Sequence, residues 1–378
     1  MKLEVLATNL NQGLSIVSRS VANRVQLPIL SNILLTAGKQ GLELVSTDLE
    51  ISFRVQLGAR VTEPGQVTVP AKILTELATT LGSNTVSLEL DADTLKLVAG
   101  NIKACLPTMA ADEFPVVPRT EKKPDLNLDA AKLVPALTRT VIAASRDDSR
   151  PVYTGMLWRF IDSGLVLAAT DGYRLSYSRL SLTNALKIKD RADLIIPARA
   201  LQELSRVISK PAESAAKDSE ATVAFKIDRE QQQVIFKFGE VELISRLLGG
   251  DFPAFEQIIP QEFSTKIQLG QAELTEAVRR ANIFARDAAN IVKLKTGDNQ
   301  VEVSASSSQV GSNQTVIDAQ VEGEGLEMAF NGRYLLDYLA ICPEDQFVLE
   351  TSGGLKPGVF KSDSFGFFHI IMPVRVQS

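Results

Sequence analysis

The chain is poor in the residues that most metal and nucleophile chemistry needs. It has two cysteines, Cys105 and Cys342, and one histidine, His369. Two isolated thiols cannot build a disulfide framework or a four-ligand zinc site, and they fit a reducing compartment. The histidine lies in Phe367-Phe368-His369-Ile370, where it reads as an outward-facing strand residue and not as a base. No uninterrupted apolar run approaches the ~20 residues that a membrane-crossing helix needs. The opening Met1-Lys2-Leu3-Glu4-Val5 puts an acid where a signal peptide is apolar, so a cytoplasmic protein without membrane association is expected. A basic excess is also missing: 40 Lys and Arg face 45 Asp and Glu, for a formal charge of −5. That argues against a generally basic nucleic-acid binder and leaves room for a locally basic surface.

Catalytic signatures are equally scarce. Gly353 and Gly358 have the separation of a phosphate loop, but Val359 stands where the phosphate-binding lysine belongs. No Gly-x-Ser-x-Gly elbow occurs. Asp91 and Asp93 pair in a hairpin turn with no third ligand near them in sequence, so neither a metal nor another cofactor is expected.

Repetition is what the chain does have. At 378 residues it is long enough for two or three domains. Met1–Leu6 alternates like a strand and leads into a helical pattern of Leu10, Leu14, Val17 and Val21, with Asn9 as the expected N-cap. The same phrase returns at Leu126-Asn127-Leu128, with a helix from Asp129 to Ala144, and at Lys266-Ile267-Gln268-Leu269, with a helix from Gln271 to Ala285. A second strand-then-helix phrase also occurs three times, leading into Lys72–Leu77, Arg199–Leu204 and Arg333–Leu339. Spaced at about a third of the chain, these phrases predict three α+β units. Arg119–Pro124 and Gln257–Glu262 read as joints, and Ser209–Ala221 as a surface loop.

One hairpin stands out in the middle. Ala169-Thr170-Asp171-Gly172-Tyr173-Arg174-Leu175 predicts a strand, a two-residue Asp-Gly turn and a second strand, and Val45-Ser46-Thr47-Asp48-Leu49-Glu50 echoes it. Carboxylates in such turns bond to local backbone. The helices carry the basic residues: Lys132 and Arg139 share one face, Arg199 and Arg206 repeat that spacing around Glu203, and Arg279 and Arg280 mark the fifth helix. On a repeated scaffold they could form one positive surface that holds phosphates without reading bases.

Leu27-Pro28-Ile29-Leu30-Ser31-Asn32, Ala169–Leu175, Asp251-Phe252-Pro253 and Met372-Pro373-Val374-Arg375-Val376 resemble the bacterial sliding clamps, the β subunits of DNA polymerase III. The resemblance runs from Met1 to Val376. It implies an α+β chain of three similar domains, at residues 1–121, 122–257 and 258–378. Each has two helices packed on antiparallel sheets, the DNA clamp fold. The resemblance further implies that two chains form a head-to-tail homodimer, a ring without catalytic activity that encircles double-stranded DNA independently of sequence. The implied partners are the replicative DNA polymerase, the clamp loader, and repair and translesion polymerases and ligase-type factors with clamp-binding motifs.

By position, Arg24 matches a DNA contact of the family. Asp147 departs from the usual neutral amide at another, with Arg146 and Arg150 beside it. The family's partner-peptide pocket maps onto Tyr153, Thr170, Gly172, Tyr173, Arg174, Leu175, Pro253, Gln257, Ile258, Ile370, Met372, Pro373, Val374 and Arg375. Gln257 replaces an arginine there, Val374 and Val376 replace larger apolar residues, and Gln377-Ser378 extend the usual end. The dimer interface maps onto Ile283 and Phe284, packed on the strand Lys103, Ala104, Cys105, Leu106 of the other chain. Two rivals remain at this point: an enzyme using Asp48, Asp171 and Arg174, and a protein-interaction scaffold that never meets DNA.

Overall fold

The computed structural model describes residues 1–22, 27–119, 123–182, 193–209, 221–362 and 366–375. Among these are six α-helices: α1 (Ala7–Val17), α2 (Ala71–Ala78), α3 (Ala130–Val141), α4 (Ala198–Ser209), α5 (Gln271–Ala285) and α6 (Gly332–Ile341). Each follows directly on a strand, so the twofold strand-then-helix phrase is present in all three repeats.

Apolar spacing decides which face of each helix is buried. Leu10, Leu14 and Val17 of α1 are fully buried, as are Leu274, Ala277, Val278, Ala281 and Ala285 of α5. The expected Asn9 cap is wrong. The N-cap lies three residues earlier, at Leu6, so helix α1 begins at Ala7 with no side-chain cap. The Ala7 amide instead donates to Asn84 O at 2.9 Å, so a tertiary partner takes over one of the unpaired first-turn donors. α1 also stops at Val17, before Val21. Ser18 Oγ bonds back to Leu14 O at 2.6 Å, and the chain tightens into a 3₁₀ turn, Ser18–Ser20. α3 likewise ends at Val141, short of Ala144, and carries Pro135 inside it.

The chain divides into two compact units. The first comprises Met1–Ala130 with Glu203–Leu247, the second Ala131–Gln202 with Leu248–Ser378. The first unit holds a five-stranded sheet in the order Ala59–Glu63, Lys2–Leu6, Thr85–Asp91, Thr94–Ala99, Ile102–Pro107. It also holds an eight-stranded sheet in the order Leu126–Asp129, Thr222–Asp228, Gln233–Phe238, Val241–Arg246, Ile51–Leu57, Gly41–Thr47, Asn32–Gly38, Gly65–Pro70. In that sheet Val241–Arg246, from the second repeat, pairs antiparallel with Ile51–Leu57 of the first. The second unit contains a twelve-stranded sheet in which Phe367–Ile371, from the third repeat, pairs with Arg174–Ser181 of the second. Successive repeats thus join through shared sheets at matching strands.

An Arg54-centred ion network pins the first of these joints. The Arg54 side chain is 9% exposed and reaches Glu242 Oε2 at 2.8 Å and Glu43 Oε2 at 3.4 Å. It also donates to Val117 O at 2.9 Å and Pro118 O at 3.1 Å, holding the connecting segment on the sheet, while Arg119 pairs with Glu43.

The structure buries His369 completely, so its expected outward position is wrong. The run Phe367–Ile371 is apolar on both faces because the sheet is covered on both, and His369 lies inside against the Tyr338 ring, 5.6 Å between centroids. Its Nδ1 shares a 2.7 Å hydrogen bond with Ser176 Oγ. Burial lowers the imidazole pKa to about 3, and the Arg174 charge acts in the same direction.

Candidate partner-binding and DNA-facing sites

The central hairpin joins Gly164–Thr170 to Arg174–Ser181 through three residues, Asp171 to Tyr173, and not through the expected two. Asp171 Oδ1 accepts the Tyr173 and Arg174 amides at 2.9 and 3.0 Å. Thr170 Oγ1 accepts from the Gly172 amide at 3.0 Å and donates to Arg174 O at 2.7 Å. Gly172 has φ +94°, a conformation that glycine adopts without a Cβ penalty.

The Thr47-Asp48 hairpin is built the same way. Asp48 Oδ1 accepts the Glu50 and Ile51 amides at 3.1 and 2.8 Å, and Thr47 Oγ1 accepts from Leu49 at 3.0 Å. Leu49 occupies the left-handed position at φ 77°. A third, sparser copy follows at Ser307, whose Oγ accepts the Gln309 amide at 3.2 Å, with Ser308 in place of the aspartate. Asp48 and Asp171, the carboxylates that the enzyme rival invoked, are each engaged by the backbone amides of their own turn.

What distinguishes the second copy is Arg174. Its Nε donates to Asp171 Oδ2 at 3.0 Å, its Nη1 to Asp337 Oδ2 at 2.6 Å, and its guanidinium lies 4.3 Å above the Tyr334 ring. With its side chain 9% exposed, Arg174 shapes the site from within. Tyr173, at the tip, is 63% exposed, and its carbonyl accepts the Met372 amide at 2.9 Å. The Val374 amide donates to Ala329 O at 2.7 Å, so the terminal segment Met372, Pro373, Val374, Arg375 is tied to the hairpin at one end and to the third repeat at the other. Below them Leu175 and Ile370, directly paired across the ladder, are fully buried.

Other expected pocket residues gather on this same cluster. Phe255 packs with Leu175 and Ile370, and its 3₁₀ turn, Phe255–Ile258, presents Gln257 and Ile258 on the surface just after Pro253. Tyr153 stands beside Gly172: a Cβ there would lie 4.0 Å from Tyr153 Cε1 and 3.8 Å from Arg150 Nη1. The Arg150 guanidinium stacks 4.9 Å over Tyr153 and its Nε meets Asp147 at 3.2 Å. Half-buried Tyr153 and exposed Tyr173 and Met372 thus stand over the buried cluster of Leu175, Ile370 and Phe255, with the hairpin backbone locked by Asp171 and Arg174. Such a surface suits an extended peptide with an apolar anchor.

The basic helix residues fall into different surroundings. Lys132 on α3 and Arg199 on α4 are exposed, as is Arg146. Arg206 pairs with Glu203, which also takes Arg19 at 2.7 Å. Arg279 pairs with Glu276 at 2.9 Å, and Arg280 lies 3.9 Å from the same carboxylate. Arg139 does not stand exposed beside Lys132 on the expected shared face. It is partly buried, burial lowers its pKa, and Cys342 and Glu344 beyond α6 oppose that shift. Arg24, Val376, Gln377 and Ser378 lie outside the described residues, as do residues 120–122 of the first joint and residues 210–220 of the expected loop. Among the interface candidates, Ile283 is 59% exposed and Lys103 is exposed, whereas Leu106 is buried within its own chain. No described helix is long and apolar enough to cross a membrane.

Sequence reasoning missed Asp337 and Tyr334, which hold Arg174 from a helix 163 residues away in the chain in the case of Asp337. It also missed the pairing of Arg19 with Glu203, 184 residues apart in the chain.

Comparison with known proteins accounts for the whole chain. Residues 1–118 match the N-terminal domain of the DNA polymerase III beta subunit, residues 127–254 its central domain and residues 256–375 its C-terminal domain. A beta sliding clamp of Synechococcus elongatus is 31% identical over 384 residues, covering 100% of both chains. One from Staphylococcus aureus is 29% identical, covering 99% of this chain and 98% of that one. Among solved structures, the DNA polymerase sliding clamp of Bacillus subtilis has a TM-score of 0.90 at 27% identity, covering 100% of both chains. The DNA polymerase III subunit beta of Pseudomonas aeruginosa has a TM-score of 0.89 at 26% identity, again with 100% of both chains covered. The three repeats, their shared sheets and these likenesses agree: the chain belongs to the bacterial DNA polymerase III beta subunit family, the beta sliding clamps.

Proposed function

We propose that this sliding clamp closes head to tail with a second copy into a ring around duplex DNA and, catalysing no reaction itself, keeps the replicative polymerase on its template. The observation that carries the reading is the pairing of strands between repeats. Val241–Arg246 adds to Ile51–Leu57, and Phe367–Ile371 adds to Arg174–Ser181. The strands in the corresponding places at the remaining junction are Ile102–Pro107 and Gly311–Gly323. Among the described residues, Ile102–Pro107 pairs on one edge only, with Thr94–Ala99. Residues 311–317 likewise pair on one edge only, with Gln300–Ser307. Open edges invite another chain. Two copies joined by this heterologous contact use all four edges and close a ring. Ile283 and Phe284 then meet the strand bearing Lys103, Ala104 and Leu106 in the other copy.

Within the ring, Arg24, Lys132, Arg146, Arg150, Arg199, Arg206 and Arg279 supply phosphate contacts that carry no sequence information. Weak contacts to the backbone favour sliding, and retention comes from enclosure. The hairpin and terminal segment dock short motifs of the polymerase, the clamp loader, and repair and translesion polymerases and ligase-type factors. An aromatic or leucine anchor enters between Tyr153, Tyr173 and Met372. Work at the replication fork places the protein in the cytoplasm, on the nucleoid.

Binding of a fluorescent peptide bearing such an anchor, measured by anisotropy, tests the site. Deleting residues 372–378 should abolish binding and leave the sedimenting species at twice the chain mass. Full affinity in the truncated protein would overturn the assignment of the terminus.

A further inference from the structure

The two junctions within the chain share a feature beyond their strands. The sixth residue of the second helix in every repeat is acidic: Glu76 in α2, Glu203 in α4 and Asp337 in α6. Glu203 accepts Arg19 of the preceding repeat at 2.7 Å. Asp337 accepts Arg174 of the preceding repeat at 2.6 Å. Two different elements supply the arginine, a helix end and a hairpin, yet the acceptor position is the same.

Glu76 is the third member of this set. It is exposed, and among the described residues no cation lies within ion-pair distance of it. Three residues before it, on the same face of α2, Ile73 is 49% exposed. The corresponding residues elsewhere are covered: Ala200 is fully buried, and Tyr334 lies under the Arg174 guanidinium. The Ile73–Glu76 face of the first repeat therefore has the acid and the apolar platform, and lacks what precedes it. Both of the other repeats described follow the first in sequence. In a head-to-tail ring the first repeat's predecessor is the third repeat of the other copy.

The third repeat presents a matching surface on α5. Ile283, at the position that corresponds to Arg19, is 59% exposed. It is not a cation, but Arg280 lies one turn earlier on the same side, about 4.5 Å along the axis. Arg280 is the tenth residue of α5, as Arg139 is of α3, and Arg139 faces the end of the following repeat's α6 through Cys342 and Glu344. Arg279, about 100° round the helix, is held by Glu276 at 2.9 Å, whereas Arg280 only grazes that carboxylate at 3.9 Å.

We infer that Glu76 of one copy pairs with Arg280 of the second copy, beside an Ile73–Ile283 contact, and that this ion pair completes at the subunit junction the acid–arginine bridge present at both junctions within the chain. This rests on the ring reading above, and it moves Arg280 from the DNA-facing set to the subunit interface.

Sedimentation equilibrium without DNA, on wild type, Glu76→Arg, Arg280→Glu and the double variant, tests the pair. Both residues are exposed in the single chain, so the variants keep the fold, which their circular dichroism verifies. Each single reversal places like charges together and should raise the dimer Kd at least tenfold. The double variant should return to within about threefold of wild type. A wild-type dimer whose Kd is unchanged by either single reversal, or is not restored in the double variant, overturns the pair. A wild-type protein that stays monomeric at every concentration overturns the ring instead.

Discussion

The buried histidine makes stability depend on pH in a way that can be isolated, because the chain has only one. His369 is fully buried, with its pKa lowered to about 3 from an ordinary value of 6.5. Between those values the unfolded chain binds a proton that the folded chain refuses. Stability therefore falls as pH drops below about 6.5, and the loss is complete only below the folded value. At pH 5 the unfolded imidazole is almost wholly protonated and the folded one is neutral, so about 1.5 units of linkage, or about 2 kcal/mol, is lost relative to pH 8. Urea denaturation followed by circular dichroism at pH 8, 7, 6 and 5, at one fixed protein concentration, gives the slope. His369→Gln keeps a hydrogen-bonding side chain for Ser176 and cannot titrate. It should be less stable than wild type at pH 8, yet lack the additional 2 kcal/mol loss on acidification, so the two curves converge towards pH 5. Parallel curves from pH 8 to pH 5 would show that His369 titrates alike in both states and refute its burial as a neutral ring.

Arg54→Ala leaves Glu43 and Glu242 without their shared partner and frees the Val117 and Pro118 carbonyls, so it should cost about 3–5 kcal/mol in urea denaturation; a loss under 1 kcal/mol contradicts the network. The matched hairpins predict opposite signs for opposite substitutions. Leu49→Gly relieves a left-handed leucine, a gain of ~1–2 kcal/mol offset by ~0.5–1 of backbone entropy, whereas Gly172→Ala imposes the same conformation on a Cβ and should destabilise by about 1 kcal/mol. Equal thermal shifts of the same sign would refute that equivalence. Charge reversal at Lys132 together with Arg199 should flatten the salt dependence of DNA association, by roughly one unit of slope for each phosphate left unneutralised; an unchanged slope places those side chains away from DNA.

The threefold repeat is legible because strand alternation, helical spacing and a proline or asparagine before each second helix recur in order. Helix existence follows from local pattern, and helix ends do not. α1 starts at Ala7 because Asn84, far along the chain, receives its first amide, and no local cap signals that. His369 escapes a reading by alternation because its strand does not alternate: Phe367, Phe368, Ile370 and Ile371 are apolar on both faces, the mark of a doubly covered strand. The pocket's hairpin is legible from its echo, since Thr47-Asp48 and Thr170-Asp171 form the same amide cage. Its support is not. Arg174 depends on Asp337 and Tyr334, and Glu203 on Arg19, and such pairings between repeats leave no local trace in sequence. Nor does spacing alone reveal that Arg139 turns toward Cys342 and Glu344.

Enclosure of DNA is tested most directly by topology. The protein is incubated with a bacterial clamp loader, ATP and a singly nicked circular plasmid, passed over a sizing column, and the complex is then cut once with a restriction enzyme. A closed ring that slides predicts coelution with the circle and release within the time needed to diffuse off the ends after linearisation. Equal retention on circular and linear DNA would mean that contacts, and not enclosure, hold the protein, and would contradict the ring.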